Sequence, residues 1–586
     1  MSAVLTLEPS ALTVEAPSGK LLSDILKDAG IPISLYCGGR GLCGKCLVEI
    51  KTGPLPPPNA EEKEILDPND ISSKLRLACR YRVAGDLTIR LPEASLIPSM
   101  PVLIQGIRRT LALDPAVKKI PVSLPRPDLA LPRSLLDLLA DKFPKMDVSP
   151  GLAGLRRLPA LQEGRGRVFT AVVYDDREIL AFEPGHASDR AYGIAVDLGT
   201  TTVVVELIDL STGTSIGTSA GLNGQFKYGA DVVSRISAAY LDPNKLEELR
   251  AAVLESLNGL IRGLLARNGI AEECVVEAVV AGNTAMNHLF LGLPVGTLAL
   301  SPYYAVFSVL AAIPSSDTGL AMNSSGRVYV SPNIKSFVGG DISAGLVAVD
   351  LESRPGNFLF IDLGTNGEIV LKKGRAFTAT STAAGPAFEG MSIGCGMLAL
   401  PGAVYKAELT DRFRLRTIGD EPARGICGTG LIDVVAASLR NGRMSPSGRI
   451  QDPSKKISVT RDLALSQKDV REIQLACAAV KTGIRTLLKN NRLTTADLDG
   501  VYVAGAFGNY LNIRNATAIG LLPRVERKKI FFIGNSSLAG AKALLVSRAE
   551  RRRCERLVGR VRHLSLARDP DFQNTYVAAL EFKAWS

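Results

Sequence analysis

Two segments of the chain repeat the same short grammar. Gly193 to Asp209 reads GIAVDLGTTTVVVELID and Phe358 to Lys373 reads FLFIDLGTNGEIVLKK, each an apolar run, then Asp-Leu-Gly-Thr, then a second β-rich run. A strand that ends in an acid, turns through Gly-Thr and returns is a β-hairpin whose backbone N–H groups and threonine hydroxyls can hold phosphate oxygens. The two acids, Asp197 and Asp362, stand 165 positions apart. Magnesium keeps several waters and is commonly reached by one or two carboxylates plus nucleotide phosphates, so two such hairpins facing each other would make one nucleotide site. A lone DLGT fits an ordinary hairpin. Two copies, in a region from Ala191 onward where β-rich runs alternate with helical stretches, predict a duplicated α/β core.

These residues resemble the phosphate-1 and phosphate-2 motifs of the acetate and sugar kinase, heat-shock chaperone and actin superfamily. In the expected order follow VVAGNTAMNHLFLG (279–292) in the place of the first connecting element, VYVAGAFGNYL (501–511) resembling the adenosine motif, and IGNSSLAGAKALL (533–545) resembling the second connecting helix. The resemblance implies an actin-like, ribonuclease H-like core of two lobes that binds ATP and magnesium. Asp197 and Asp362 would position magnesium-bound water. Gly199, Thr200, Thr201, Gly364, Thr365 and Asn366 would hold phosphates, and Gly505, Gly508 and Asn509 would lie near adenosine. GICGTGLID reads as a glycine turn opening a helix, with Gly428 and Gly430 at an N-terminus that faces the nucleotide and Asp433 accepting from the ribose. A glycine cap with a surface aspartate is the plain alternative. Asp231 and Asp341 are further candidates for the site, and either can equally cap a helix.

Of nine cysteines, four stand apart by spacing: Cys37, Cys43, Cys46 and Cys79, in the pattern C-x5-C-x2-C-x32-C. The segment YCGGRGLCGKC puts three thiols on one glycine-rich loop, whose backbone can curl around a small object and point N–H groups at it. Structural zinc more often shows two short C-x2-C pairs. Three cysteines on one loop with a distant fourth is the plant-type ferredoxin arrangement, with the longer first gap of the vertebrate-type subgroup. The other five, including Cys427 and Cys554, are scattered singly and read as small buried hydrophobes.

Residues 1–93 therefore form a ferredoxin-like 2Fe-2S domain of β-grasp type. Prolines every few residues mark 94–128 as a linker, 129–190 as a small middle domain, and 191–586 as the core. No apolar stretch reaches the ~18–20 residues of a membrane span, and the first residues lack a basic and then apolar leader, so a cytoplasmic location is expected. The net charge of +11 is concentrated late: residues 524–583 carry 14 Lys/Arg against 6 Asp/Glu. The cluster Arg551, Arg552, Arg553, Arg556, Arg560 and Arg562 reads first as a solvated helix face. No nucleic-acid motif accompanies it, and aromatics are 5% of the chain, so nucleic acid is not an expected partner.

The fusion is more specific than either half. NGQFKYGADVVSRI, IDLGTNGEI, AGPAFEGMSIGCGM and VAGAFGNYLNI are similar to the reductive activators of corrinoid proteins, a resemblance that spans essentially the whole chain. It implies one-electron repair of a corrinoid protein of a methyltransferase system, from Co(II) to Co(I), with an upstream electron donor, ATP, and a homodimer as the assembly expected of the family. For one electron, a shortfall of about 200 mV costs roughly 4.6 kcal/mol, which is why ATP must enter the cycle. Some relatives carry four-iron clusters near the C-terminus, but the last 100 residues hold only Cys554, so no second cluster is expected. Two rivals remain: a small-molecule kinase with an accessory redox domain, which needs Asp231 or Asp341 as a base, and a non-enzymatic redox-sensing scaffold.

Overall fold

The computed structural model describes the chain outside residues 1, 9–11, 30, 32, 34–40, 42, 43, 45, 67, 93–108, 110, 126–132, 147, 149–151, 164–167, 188, 189, 365, 506–510 and 586. Cys37, Cys43, Thr365, Gly508 and Asn509 lie outside the described residues.

The duplication is visible in the sheets. In the first lobe, Tyr192–Leu198, Thr202–Asp209 and Ser215–Leu222 form an antiparallel meander, and Val275–Gly282 and then Arg327–Val330 add in parallel beside its first strand. The second lobe repeats this with Asn357–Leu363, Gly367–Lys373, Ala376–Thr382, then Gly500–Ala504 and Ile530–Gly534. Each lobe adds one short strand at a different edge: Ile313–Pro314 in the first, Val561–His563 in the second. Every residue of Val275–Gly282 is buried, as expected of an interior parallel strand covered on both faces.

Long amphipathic helices cover the sheets. Pro243–Asn268 starts with Asp242 as its cap and proline at the first position, and stops at Gly269 in the left-handed region. Gln467–Asn490 starts with a Ser466/Asp469 capping box. Two further helices, Gly340–Ala348 and Ser536–Val546, pack closely on one another. Their approach requires glycine, because a Cβ on Gly540 would sit 2.0 Å from the Ala344 carbonyl oxygen. This corrects one landmark. The helix that packs on Ser536–Val546 is Gly340–Ala348; residues 279–292 are a strand and helix occupying the position that Gly500–Ala504 and its loop take in the other lobe.

At the N-terminus, Ser2–Glu8, Leu12–Pro17, Leu47–Thr52, Leu75–Leu77 and Leu87–Arg90 form one mixed five-stranded sheet, with the first and last of these parallel. Leu22–Asp28 packs its Leu22, Ile25 and Leu26 into the same core as Leu5, Val48 and Leu77. This is the expected β-grasp arrangement.

The proline-rich stretch 94–128 is not linker throughout. Val117–Ser123 is a strand paired antiparallel with Val168–Tyr174, which also pairs with Glu178–Pro184. Pro121 is tolerated because its strand lies at the sheet edge. Asp114, just before it, holds Arg548 at 2.8 Å, and the Arg548 N–H donates to the Asp114 carbonyl at 2.9 Å, tying this small sheet to the core. The arginine cluster also departs from a solvated face. Arg551 is buried against Glu277 at 2.7 Å, Arg553 pairs with Asp350 and Glu352, and Arg560 reaches Glu352 at 2.9 Å. Among the described residues no helix is long and apolar enough to cross a membrane.

Candidate active site

Each DLGT turn is held by its own lobe. In the first, Gly199 sits where a Cβ would meet the Thr202 carbonyl oxygen at 2.5 Å, and its own carbonyl accepts from Asn223 Nδ2 at 2.9 Å. Buried Arg235 donates to the Thr200 carbonyl at 2.6 Å, and Asn283 Nδ2 donates to the Thr200 hydroxyl at 3.1 Å. In the second, the Gly364 N–H donates to the Asn366 carbonyl at 3.1 Å. Gly505 follows strand Gly500–Ala504 at φ +98°, and a Cβ there would lie 2.7 Å from the Leu363 carbonyl oxygen and 3.2 Å from Asp362 Oδ1, so the turn beside the acid requires glycine.

The two turns bring four acids together. Asp197, Asp341 and Asp362 are half-buried and Glu368 is buried. Burial and then the charges of Asp341 and Asp197 push the Asp362 carboxyl up to about 7. Burial, opposed by the Ile342 N–H and aided by Asp197, pushes Asp341 up to about 7 as well. Glu368 is driven well above its ordinary range by burial, Asp341 and Asp362. Asp197 is raised by burial, against hydrogen bonds from Ser537 and Asn535 that favour its ionised form. An all-oxygen set of mutually repelling carboxylates fits a hard divalent cation such as magnesium.

Two of these contributors were not singled out from sequence. Glu368 belongs to the second repeat itself, IDLGTNGE, and lies opposite Asp362 in the hairpin. Asn535, within IGNSSLAG, caps Ser536–Val546 by accepting from the Leu538 N–H at 2.9 Å and donates to Asp197 Oδ2 at 2.8 Å. The AsnSer pair at a strand-to-helix junction was its signal.

Other expectations are revised. Asp433 is enclosed: one oxygen accepts from Asn515 Nδ2 at 2.5 Å and the other from the Ala407 N–H at 3.2 Å, which leaves no route for a ribose hydroxyl. Gly428 and Gly430 open helix Gly428–Arg440 but are buried, and a Cβ on Gly430 would lie 2.2 Å from the Val404 carbonyl oxygen. That glycine serves packing. Asp231 spends both oxygens on Ser234, from its N–H at 2.8 Å and its hydroxyl at 2.6 Å, and so is a helix cap.

In the N-terminal domain, Cys46 and Cys79 are buried with their sulfurs 3.4 Å apart. Two thiolates on one tetrahedral metal centre with bonds of about 2.3 Å lie a little under 4 Å apart, so this pair fits one end of a cluster. Gly41 and Gly44 both have positive φ, and a Cβ at either would strike Arg80 or Ile65.

A duplicated actin-like core with phosphate-type hairpins, joined to a ferredoxin-type domain, defines a protein that combines nucleotide binding with an electron carrier. Residues 5–84 match the 2Fe-2S iron-sulfur cluster binding domain, 106–189 the RACo linker region, 192–354 the RACo middle region, and 356–585 the C-terminal ASKHA domain of RACo. The chain is 32% identical to the corrinoid activation enzyme RamQ of Eubacterium limosum, over 96% of each protein. It is 28% identical to the [Co(II) methylated amine-specific corrinoid protein] reductase of Methanosarcina barkeri, over 67% of this chain and 77% of that one. A solved reductive activator for corrinoid, iron-sulfur protein superposes with a TM-score of 0.74 at 33% identity, covering 99% of this chain and 98% of that one. The chain belongs to the family of reductive activators of corrinoid proteins, and it is an enzyme of that family.

Proposed function

We propose that the chain reactivates an oxidised corrinoid protein by ATP-dependent transfer of one electron to its Co(II), restoring Co(I) for methyl transfer. The observation that carries this reading is the joining, in one chain, of a buried Cys46–Cys79 thiol pair with an acid-lined site between two phosphate-type hairpins. The relatives named for corrinoid activation support it.

Cys37, Cys43, Cys46 and Cys79 would be the thiolate ligands, and the 2Fe-2S cluster they hold supplies a one-electron carrier. The electron balance is one lost by the reduced cluster and one gained by Co(II), with an upstream donor re-reducing the domain. Asp197 and Asp362 would orient water on magnesium, and Gly199, Thr200, Thr201, Gly364, Thr365 and Asn366 would hold the phosphates. Gly505, Gly508 and Asn509 would pass close to the nucleoside. ATP and water become ADP and phosphate, and the nucleotide acts by favouring one arrangement of the lobes over another, since only a differential affinity can shift such an equilibrium.

The kinase alternative loses one of its two bases, because Asp231 is occupied as a cap. The test is anaerobic: holoprotein, reductant, ATP and a Co(II) corrinoid protein, with cobalt absorbance followed in time. Omitting ATP, or Cys43→Ser, should stop Co(I) formation; an unchanged rate in either case would sink the proposal.

A further inference from the structure

One carboxylate reaches the first phosphate turn from the opposite lobe. The loop that follows strand Ala376–Thr382 leaves the second lobe, and its Met391, with Leu398 and Leu400, packs against Phe226 and Ala230 of the first. The loop is tightly built. A Cβ on Gly390, at φ +75°, would lie 2.6 Å from the Met397 nitrogen, and the Gly394 N–H donates to Asp469 at 2.6 Å. Glu389 stands just before that glycine, and its Oε2 accepts from the Thr201 hydroxyl at 3.2 Å. Arg235, fully buried and bonded to the Thr200 carbonyl, faces Glu389 electrostatically.

We infer that Glu389 is the general base of ATP hydrolysis. The inference rests on the proposal that Thr201 holds a phosphate oxygen of ATP. A carboxylate set against a phosphate-binding hydroxyl gains nothing from the phosphate, which carries its own negative charge; with ATP held there, it would face a water lined up on the γ-phosphorus. In the step, the water oxygen forms the new bond to phosphorus while its proton passes to the Glu389 carboxylate. The bond from phosphorus to the bridging oxygen breaks, and ADP leaves with that electron pair. Asp341, Asp362 and Glu368 lie on the side expected to face magnesium, whereas Glu389 approaches from the Thr201 side. The apolar seating of Met391, Leu398 and Leu400 fixes the carboxylate in place before substrate arrives, as positioning of this kind requires.

The alternative is that Glu389 only latches the lobes through Thr201. Glu389→Gln separates the two, because an amide oxygen still accepts from the Thr201 hydroxyl but cannot take a proton. The experiment measures ATP affinity by calorimetry and single-turnover phosphate release, on the full-length holoprotein in excess over ATP with magnesium. The expected result is an unchanged Kd for ATP, which also shows the variant is folded, with hydrolysis slowed about 100-fold or more. Glu389→Asp, which keeps a carboxylate, should hydrolyse faster than Glu389→Gln. Hydrolysis by Glu389→Gln at the wild-type rate, or ATP bound by the wild type but never cleaved, overturns the assignment of Glu389. Failure of the wild type to bind ATP at all overturns the underlying reading of the nucleotide site instead.

Discussion

Asp362 and Glu368 stand directly opposite one another across the second hairpin, whereas the residue opposite Asp197 in the first is Val204. Like charges in that relation destabilise a sheet pair. The two repeats are therefore alike in backbone and unlike in chemistry: the second sets two acids face to face beside its turn, and the first sets Asp197 there, held by Asn535. Such an arrangement is tolerable when the acids are protonated or when a cation sits among them.

The nucleotide-free protein should accordingly lose stability as pH rises. Asp341 and Asp362 have an ordinary value of 3.8 and are pushed up to about 7 in the fold. Between those limits the folded chain holds protons that the unfolded chain has released, so unfolding is increasingly favoured as pH increases. Thermal melts across this interval should show a falling midpoint, flattened by saturating magnesium and ATP. Glu368→Gln should reduce the slope without nucleotide. Identical slopes with and without magnesium and ATP would show that no cation is received there.

Asn535→Ala removes two bonds from one side chain. Losing a helix cap costs about 1 kcal/mol, and losing a hydrogen bond to a charged group about 1.5–3 kcal/mol. Denaturant unfolding should show a deficit on the order of 2–4 kcal/mol, with weaker binding of ATP in the presence of magnesium. A loss no larger than the cap alone, with ATP affinity intact, would mean that Asn535 does not support Asp197.

Cys79→Ser should abolish the visible absorbance and paramagnetic signal of the reduced cluster while leaving ATP affinity unchanged. Cys427→Ser should leave both intact, since its buried sulfur lies in the core against the Val404 carbonyl and Thr429, remote in sequence from the four spaced cysteines. Retention of a full cluster spectrum by Cys79→Ser would refute the ligand assignment.

Much of this architecture was legible because it is written in short-range patterns. The DLGT turns, the ferredoxin-like domain and the duplicated α/β core need only local spacing to be read. What escaped depends on register and packing. Glu368 looks like an ordinary alternating residue in GEIVLKK until the hairpin pairing sets it against Asp362. The prolines of 94–128 conceal a strand, because an edge position tolerates Pro121 and no local signal marks an edge. The connecting helix was misplaced because 279–292 is a strand and helix as regular as the true one, and only the contact of Gly540 with Ala344 tells them apart. Arg551 and Arg553 read as surface charge until their acids, distant in sequence, are brought to them. Asp433 was misread for the same reason, since Asn515 reaches it from 82 positions away.

The central claim is that nucleotide in the core governs delivery of the cluster's electron. The most direct measurement mixes pre-reduced holoprotein with a Co(II) corrinoid protein in a single turnover, following cluster reoxidation and Co(I) absorbance together, with and without magnesium and ATP. The account predicts that both signals advance at one rate with ATP, and that neither does without it or in Asp362→Asn. Reoxidation of the cluster and formation of Co(I) at the same rate in the absence of ATP would contradict it.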